Sequence, residues 1–127
     1  MSKKWYIKIW KMEKYLDLWS VNHTLASCLL AGIFISFNIP LLTSVVISFL
    51  ILIGWEFFEI FHHVHETIEN RISDMAVGML GFFITYYLMS HNIFNRNGLF
   101  SVVFALFFVL EIWGFWAYEK IKNGVKI

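Results

Sequence analysis

Nine acidic residues and five histidines are few for a chain of 127 residues, and those set in apolar sequence stand close together. The stretch from Gly54 to Gly81, GWEFFEIFHHVHETIENRISDMAVGMLG, holds Glu56, Glu59, His62, His63, His65, Glu66, Arg71 and Asp74. Carboxylates beside imidazoles can exchange protons, hold a cationic group or ligate a metal. On a helix Glu56, Glu59 and His63 recur at i, i+3 and i+7 and share one face, which Glu66 continues if the helix extends. His62 lies at the border of that face and His65 opposite it. His23 and Glu111 are the other ionisable residues embedded in apolar runs.

Complete ligand patterns are absent. Glu59 and His62 make one Glu-x-x-His pair, but a di-iron bundle needs two. His65-Glu66-x-x-Glu69 resembles a zinc-protease helix whose second histidine is a glutamate, so it lacks a ligand. Five histidines are too few for the boxes of a membrane desaturase. A mononuclear site built from His63, Glu59 and Glu56, with His23 in reach, remains chemically open. There is no glycine-rich phosphate loop and no evident Ser-His-Asp or Cys-His arrangement.

The elements that carry these residues follow from hydropathy. The composition is 59% hydrophobic and 15% charged, against about 45–50% and about 25% in soluble domains. Residues 19–37, 41–61, 73–90 and 99–118 are each near the ~20 residues that cross ~30 Å of hydrocarbon. The expected fold is therefore all-α, a four-helix transmembrane bundle forming one domain. Pro40 places a tight turn between the first two spans, residues 62–72 read as a polar link, and HNIFNRNG (91–98) reads as a loop ending in the Asn97-Gly98 turn signal. Residues 1–18 mix lysines with large apolar residues. As a helix they would set Trp5, Ile9, Met12 and Leu16 on one side and Lys4, Lys8, Lys11 and Lys14 on the other, an interfacial amphipathic arm. Residues 119–127 are a basic tail. The first long apolar run begins near Val21 and is long enough to span, so it reads as a retained helix and not a cleaved signal.

Four spans put Lys3, Lys4, Lys8, Lys11, Lys14, Arg71, Lys120, Lys122 and Lys126 on one side and only Arg96 on the other. The positive-inside rule then places both termini in the cytoplasm of a prokaryotic cell membrane. That asymmetry argues against a dual-topology small multidrug exporter, as does a first span without glutamate. His23, Glu56, Glu59, Asp74 and Glu111 all fall in the cytoplasmic half. A charge in hydrocarbon costs roughly 2.5–3.5 kcal/mol on insertion scales, so these side chains should face the bundle interior or a wet cavity. Asp74, Gly78, Gly81 and Thr85 form a small-residue stripe, which is expected to pack against the acids of the second span. Asp74, preceded by Ser73, also reads as a helix cap. A net charge of +1 offers no basic field for nucleic acid. Cys28, the single cysteine, excludes an internal disulfide and reads as a packing residue.

The Glu56–Gly81 region resembles the VanZ-like family of small membrane proteins. Members pair acids at the end of one span with Arg-x-x-Asp-x-x-x-Asn-x-x-Gly opening the next. Glu56 and Glu59 stand for the acids, then Arg71, Asp74 and Gly81, with Gly78 at the Asn position. The resemblance implies a helical membrane protein in which Glu56, Glu59, Arg71 and Asp74 form a functional set; it names no reaction.

The residues point first to a cytoplasm-facing site for a polar lipid headgroup or related envelope molecule. Glu56, Glu59 and Asp74 would be its reactive carboxylates, and Arg71, His23 and Glu111 would bind the substrate, Arg71 through an anionic group. A non-enzymatic subunit whose acids set helix packing, and a metal-dependent membrane enzyme, are the competing expectations. Membrane lipid is the expected partner, with a homo-oligomer or membrane complex open and the cofactor unknown.

Overall fold

The computed structural model describes residues 5–62 and 64–124. The described chain is all-helical: α1 (Trp5–Lys8), α2 (Leu18–Ser36), α3 (Leu41–Phe61), α4 (Ile68–Ser90) and α5 (Arg96–Lys122). The last four are long and apolar enough to cross a membrane.

Local chemistry sets most of the helix ends. Asp17 caps α2: its carboxylate accepts from the amides of Trp19 and Ser20, and the Ser20 hydroxyl accepts from the Asp17 amide. Thr67 caps α4 by accepting from the Asn70 amide, and Asn95 caps α5 by accepting from the Gly98 amide. α2 and α4 close in the same way. Asn38 and Asn92 take positive φ, and the amides of Ile39 and Ile93 return to the carbonyls of Phe34 and Leu88. Asparagine tolerates this left-handed residue better than most side chains.

Two of these caps move boundaries away from the hydropathy reading. α4 starts at Ile68 rather than Ser73, so the polar link shrinks and Asp74 lies inside the helix as a buried residue, not a cap. α5 starts at Arg96, so Asn97 and Gly98 are helical and make no turn. The N-terminal arm differs as well. Its described helix is only Trp5–Lys8, and Trp5, Ile9 and Leu16 are exposed. The buried pair is Ile7 and Trp10, which packs with Ala117 of α5. Trp10 lies edge-on to Trp19 and Trp113, with ring centroids 4.9 and 5.7 Å away. Gly114 makes room for it: a Cβ there would meet the Trp10 ring at 2.6 Å.

α2 is the centre of the bundle and packs against α3, α4 and α5. Small side chains let α4 come close. A Cβ on Gly81 would stand 2.6 Å from Thr24 Cγ2, and one on Gly78 would stand 3.1 Å from Ser27 Oγ. The Cys28 thiol donates to the Gly81 carbonyl at 3.5 Å, which ties α2 to α4. The Asp74-Gly78-Gly81-Thr85 stripe therefore faces α2, not the acids of α3. The glycines seat the small Thr24, Ser27 and Cys28, whereas the acids of α3 meet α4 one turn earlier, at Arg71. α3 and α5 flank α2 with a cleft between them and turn large apolar side chains outward, among them Leu42, Leu50, Phe57, Val109 and Ile112. Such outward faces suit a lipid environment.

Candidate polar site

Arg71 sits where α3, the link and α4 meet, and it is 8% exposed. Its Nη1 donates to Glu56 Oε2 at 3.0 Å and to the Glu56 carbonyl at 3.3 Å, and its Nη2 donates to the Val64 carbonyl at 3.1 Å. Glu59 Oε2 lies 3.8 Å and Glu66 Oε2 3.6 Å from the same Nη1. One guanidinium thus gathers three carboxylates. Arginine suits this post because its planar fork serves several acceptors at fixed angles.

α2 brings a second group. The Ser20 hydroxyl donates to Asp74 Oδ1, and His23 Nε2 lies 3.6 Å from Asp74 Oδ2. Asp74 is fully buried. His23, Glu56 and Glu59 place ligand-capable atoms within 4.8 Å of one another. The Trp55 indole donates to Glu59 Oε1 at 2.8 Å. Glu111 of α5 pairs with Asn22 of α2, whose amide donates to Glu111 Oε2 at 2.7 Å.

The structure thus brings together His23, Glu56, Glu59, Arg71 and Asp74, with Glu111 beside them. Arg71 differs from expectation. Acids and carbonyls of its own chain surround it, so it does not stand open to an anionic group. His63 lies outside the described residues. His62 and His65 are exposed, and His62 Nδ1 pairs with the Phe58 carbonyl at 2.9 Å. Several groups were not singled out from sequence. Asn70 Nδ2 donates to the Glu13 carbonyl at 2.8 Å and to Asp17 Oδ2 at 3.0 Å. The Thr67 hydroxyl donates to the Lys14 carbonyl at 2.8 Å, so the start of α4 is stitched to the arm. The pattern Asp17-x-x-Ser20 ahead of an apolar run is a capping signal that would have placed Asp17 at the start of α2, but nothing local signals its contact with Asn70.

The acids are only partly satisfied. Glu56 Oε1, Glu59 Oε2, Glu66 Oε2 and Asp74 Oδ2 are buried without a hydrogen-bond partner. Two openings reach the cluster. A cavity of about 100 Å³ is lined by His23, Asn22, Glu111, Trp19, Trp55 and Leu52 among others. The α3–α5 cleft holds about 250 Å³ and presents Glu59, His62, Glu119 and Lys122 among Trp19, Trp55, Phe58, Phe115 and Tyr118.

Glu66, in the link, has its pKa pushed up to about 8 by burial first, then by Glu59, Asp74 and Glu56, with Arg71 opposing. Between its unfolded value near 4.5 and about 8 the folded state holds the extra proton. The contribution of this group to stability is then fully present below pH 4.5 and is lost as pH rises through 8. Thermal unfolding in detergent between pH 5 and 8.5 should show this fall, and Glu66→Gln should flatten it. An unchanged slope in that variant would assign the pH dependence elsewhere.

No known family model, curated protein or solved structure matches this chain.

Proposed function

We propose that the chain is an integral membrane protein, with both termini cytoplasmic, that binds a polar lipid headgroup in the α3–α5 cleft. The observation that carries this reading is the mixed lining of that cleft. Acids Glu59 and Glu119, the cation Lys122 and the His62 imidazole are set among large aromatic rings and open beside apolar helix faces. A zwitterionic headgroup fits such a lining. Its amine would meet Glu59, Glu119 and the ring faces, and its phosphate would meet Lys122. Lysine can lay its stem along apolar surface and keep its ammonium at headgroup level. Of Glu56, Glu59 and Asp74, only Glu59 lines the cleft, with the other two behind it in the cluster. His23 and Glu111 line the adjoining cavity and not the cleft itself. The resemblance to the VanZ-like family is in keeping with a membrane role of this kind.

Native mass spectrometry from micelles doped with phosphatidylethanolamine or phosphatidylglycerol tests this. The expected result is one tightly retained phosphatidylethanolamine, with the preference reduced about tenfold in Glu119→Gln and Lys122→Gln. Equal retention of both lipids would end the reading.

A second reading has its own support. Arg71 is closed by partners from its own chain, which favours acids that fix helix packing. Under it, the headgroup preference is absent while Arg71 stays essential to the fold.

A further inference from the structure

We propose that His23, Glu56 and Glu59 form a site for one divalent transition-metal ion, with Zn²⁺ as the probe. The three residues come from two helices, and their ligand-capable atoms already lie within 4.8 Å of one another. A tetrahedral zinc ion holds its donors ~2.1 Å away and therefore ~3.4 Å apart, so side-chain rotations of about 1 Å close the set. One imidazole nitrogen with carboxylate oxygens suits Zn²⁺ and its first-row neighbours better than Ca²⁺ or Mg²⁺, which prefer oxygen alone.

Two observations beyond the clustering of acids point to a cation ligand. Glu56 is 7% exposed, and its Oε1 has no hydrogen-bond partner although Arg71 holds Oε2. Arg71 therefore leaves one oxygen of this carboxylate free for another ligand. His23 is 8% exposed and makes no side-chain hydrogen bond among the described residues, its nearest charged partner being Asp74 Oδ2 at 3.6 Å. A carboxylate at that position can orient a ligating imidazole.

Charge counting agrees. Arg71 gathers three carboxylates, Glu56, Glu59 and Glu66, and Asp74 adds a fourth beside His23, a surplus that a low-dielectric interior does not hold without protons or a further cation. A divalent ion answers most of it. Glu59 also lines the α3–α5 cleft and His23 the neighbouring cavity, so an ion has a path to the site. The ion site and the headgroup cleft share Glu59 but stand on different observations.

The test uses the full chain in detergent, stripped by a chelator and titrated with Zn²⁺ against a chromophoric competitor. The expected result is one equivalent bound at micromolar affinity or tighter, and a Co²⁺-loaded protein with the visible bands of a four- or five-coordinate site. His23→Gln and Glu59→Gln should each weaken binding at least tenfold, while the exposed pair His65→Gln/His91→Gln leaves it unchanged. If His23→Gln does not fold, the Glu59→Gln titration and the Co²⁺ spectrum of the unaltered chain decide the matter. Absence of saturable binding overturns the proposal. So does binding that survives in His23→Gln and vanishes in the His65/His91 variant.

Discussion

Replacing Arg71 by Met is expected to destabilise the folded chain by about 3–5 kcal/mol, the cost of removing one partner from a buried ion pair. The side chains of Arg71 and Glu56 are 10% and 9% exposed, so water cannot replace the guanidinium. Glu59 and Glu66 lose the same partner, and the carbonyls of Glu56 and Val64 lose their donor. Arg71→Lys should fall between the two, because an ammonium keeps the charge but cannot reproduce the fork. Adding Glu56→Gln, Glu59→Gln and Glu66→Gln to Arg71→Met should recover much of the loss, since neutral amides no longer repel one another. Denaturant unfolding from detergent measures each step. Full stability in Arg71→Met alone would show that the carboxylates are held by something other than this residue.

Gly81→Ala is expected to cost about 1–3 kcal/mol through overpacking. The added Cβ would stand 2.6 Å from Thr24 Cγ2 and 3.2 Å from the Thr24 carbonyl oxygen. The methyl can be removed by Thr24→Ser, but the carbonyl belongs to the α2 backbone. Thr24→Ser/Gly81→Ala should therefore recover part of the loss and not all of it. Gly54 is the control. A Cβ there meets nothing within 4 Å, and alanine in an open helical position should stabilise by up to about 1 kcal/mol. Because the α2–α4 contact also aligns Ser20 and His23 with Asp74, Gly81→Ala should weaken Zn²⁺ binding as well. Equal effects at Gly81 and Gly54 would remove close approach as the cause.

The four spans were legible because hydropathy over about 20 residues is a strong, local signal. The starts of α4 and α5 were not. Their first turns carry Asn70, Arg71 and Asn97, residues that read as loop until their partners are known. Asn70 and Arg71 are buried only because the arm and the acids of α3 receive them. The arm shows the same limit: its helical pattern favoured Trp5 and Ile9, but Gly114, more than a hundred residues away, selects Trp10. Within the site, depth alone indicated that His23, Glu56, Glu59 and Asp74 share a layer. Which side chains pair across helices depends on rotation about each axis, and helical spacing on one element does not fix that. Glu66 reaches Arg71 even though α3 ends at Phe61, because the link folds back until the Val64 carbonyl meets the guanidinium.

The seat of Trp10 on α5 has a bearing on how the chain is made. α2, α3, the link and α4 supply His23, Glu56, Glu59, Glu66, Arg71 and Asp74, so the polar cluster can assemble before α5 leaves the ribosome. Trp10 cannot dock until Gly114 and Ala117 have emerged. Trp10 thus finds its place only after residues made more than a hundred positions later, and its indole fluorescence would time the arrival of α5 rather than the formation of the charged interior.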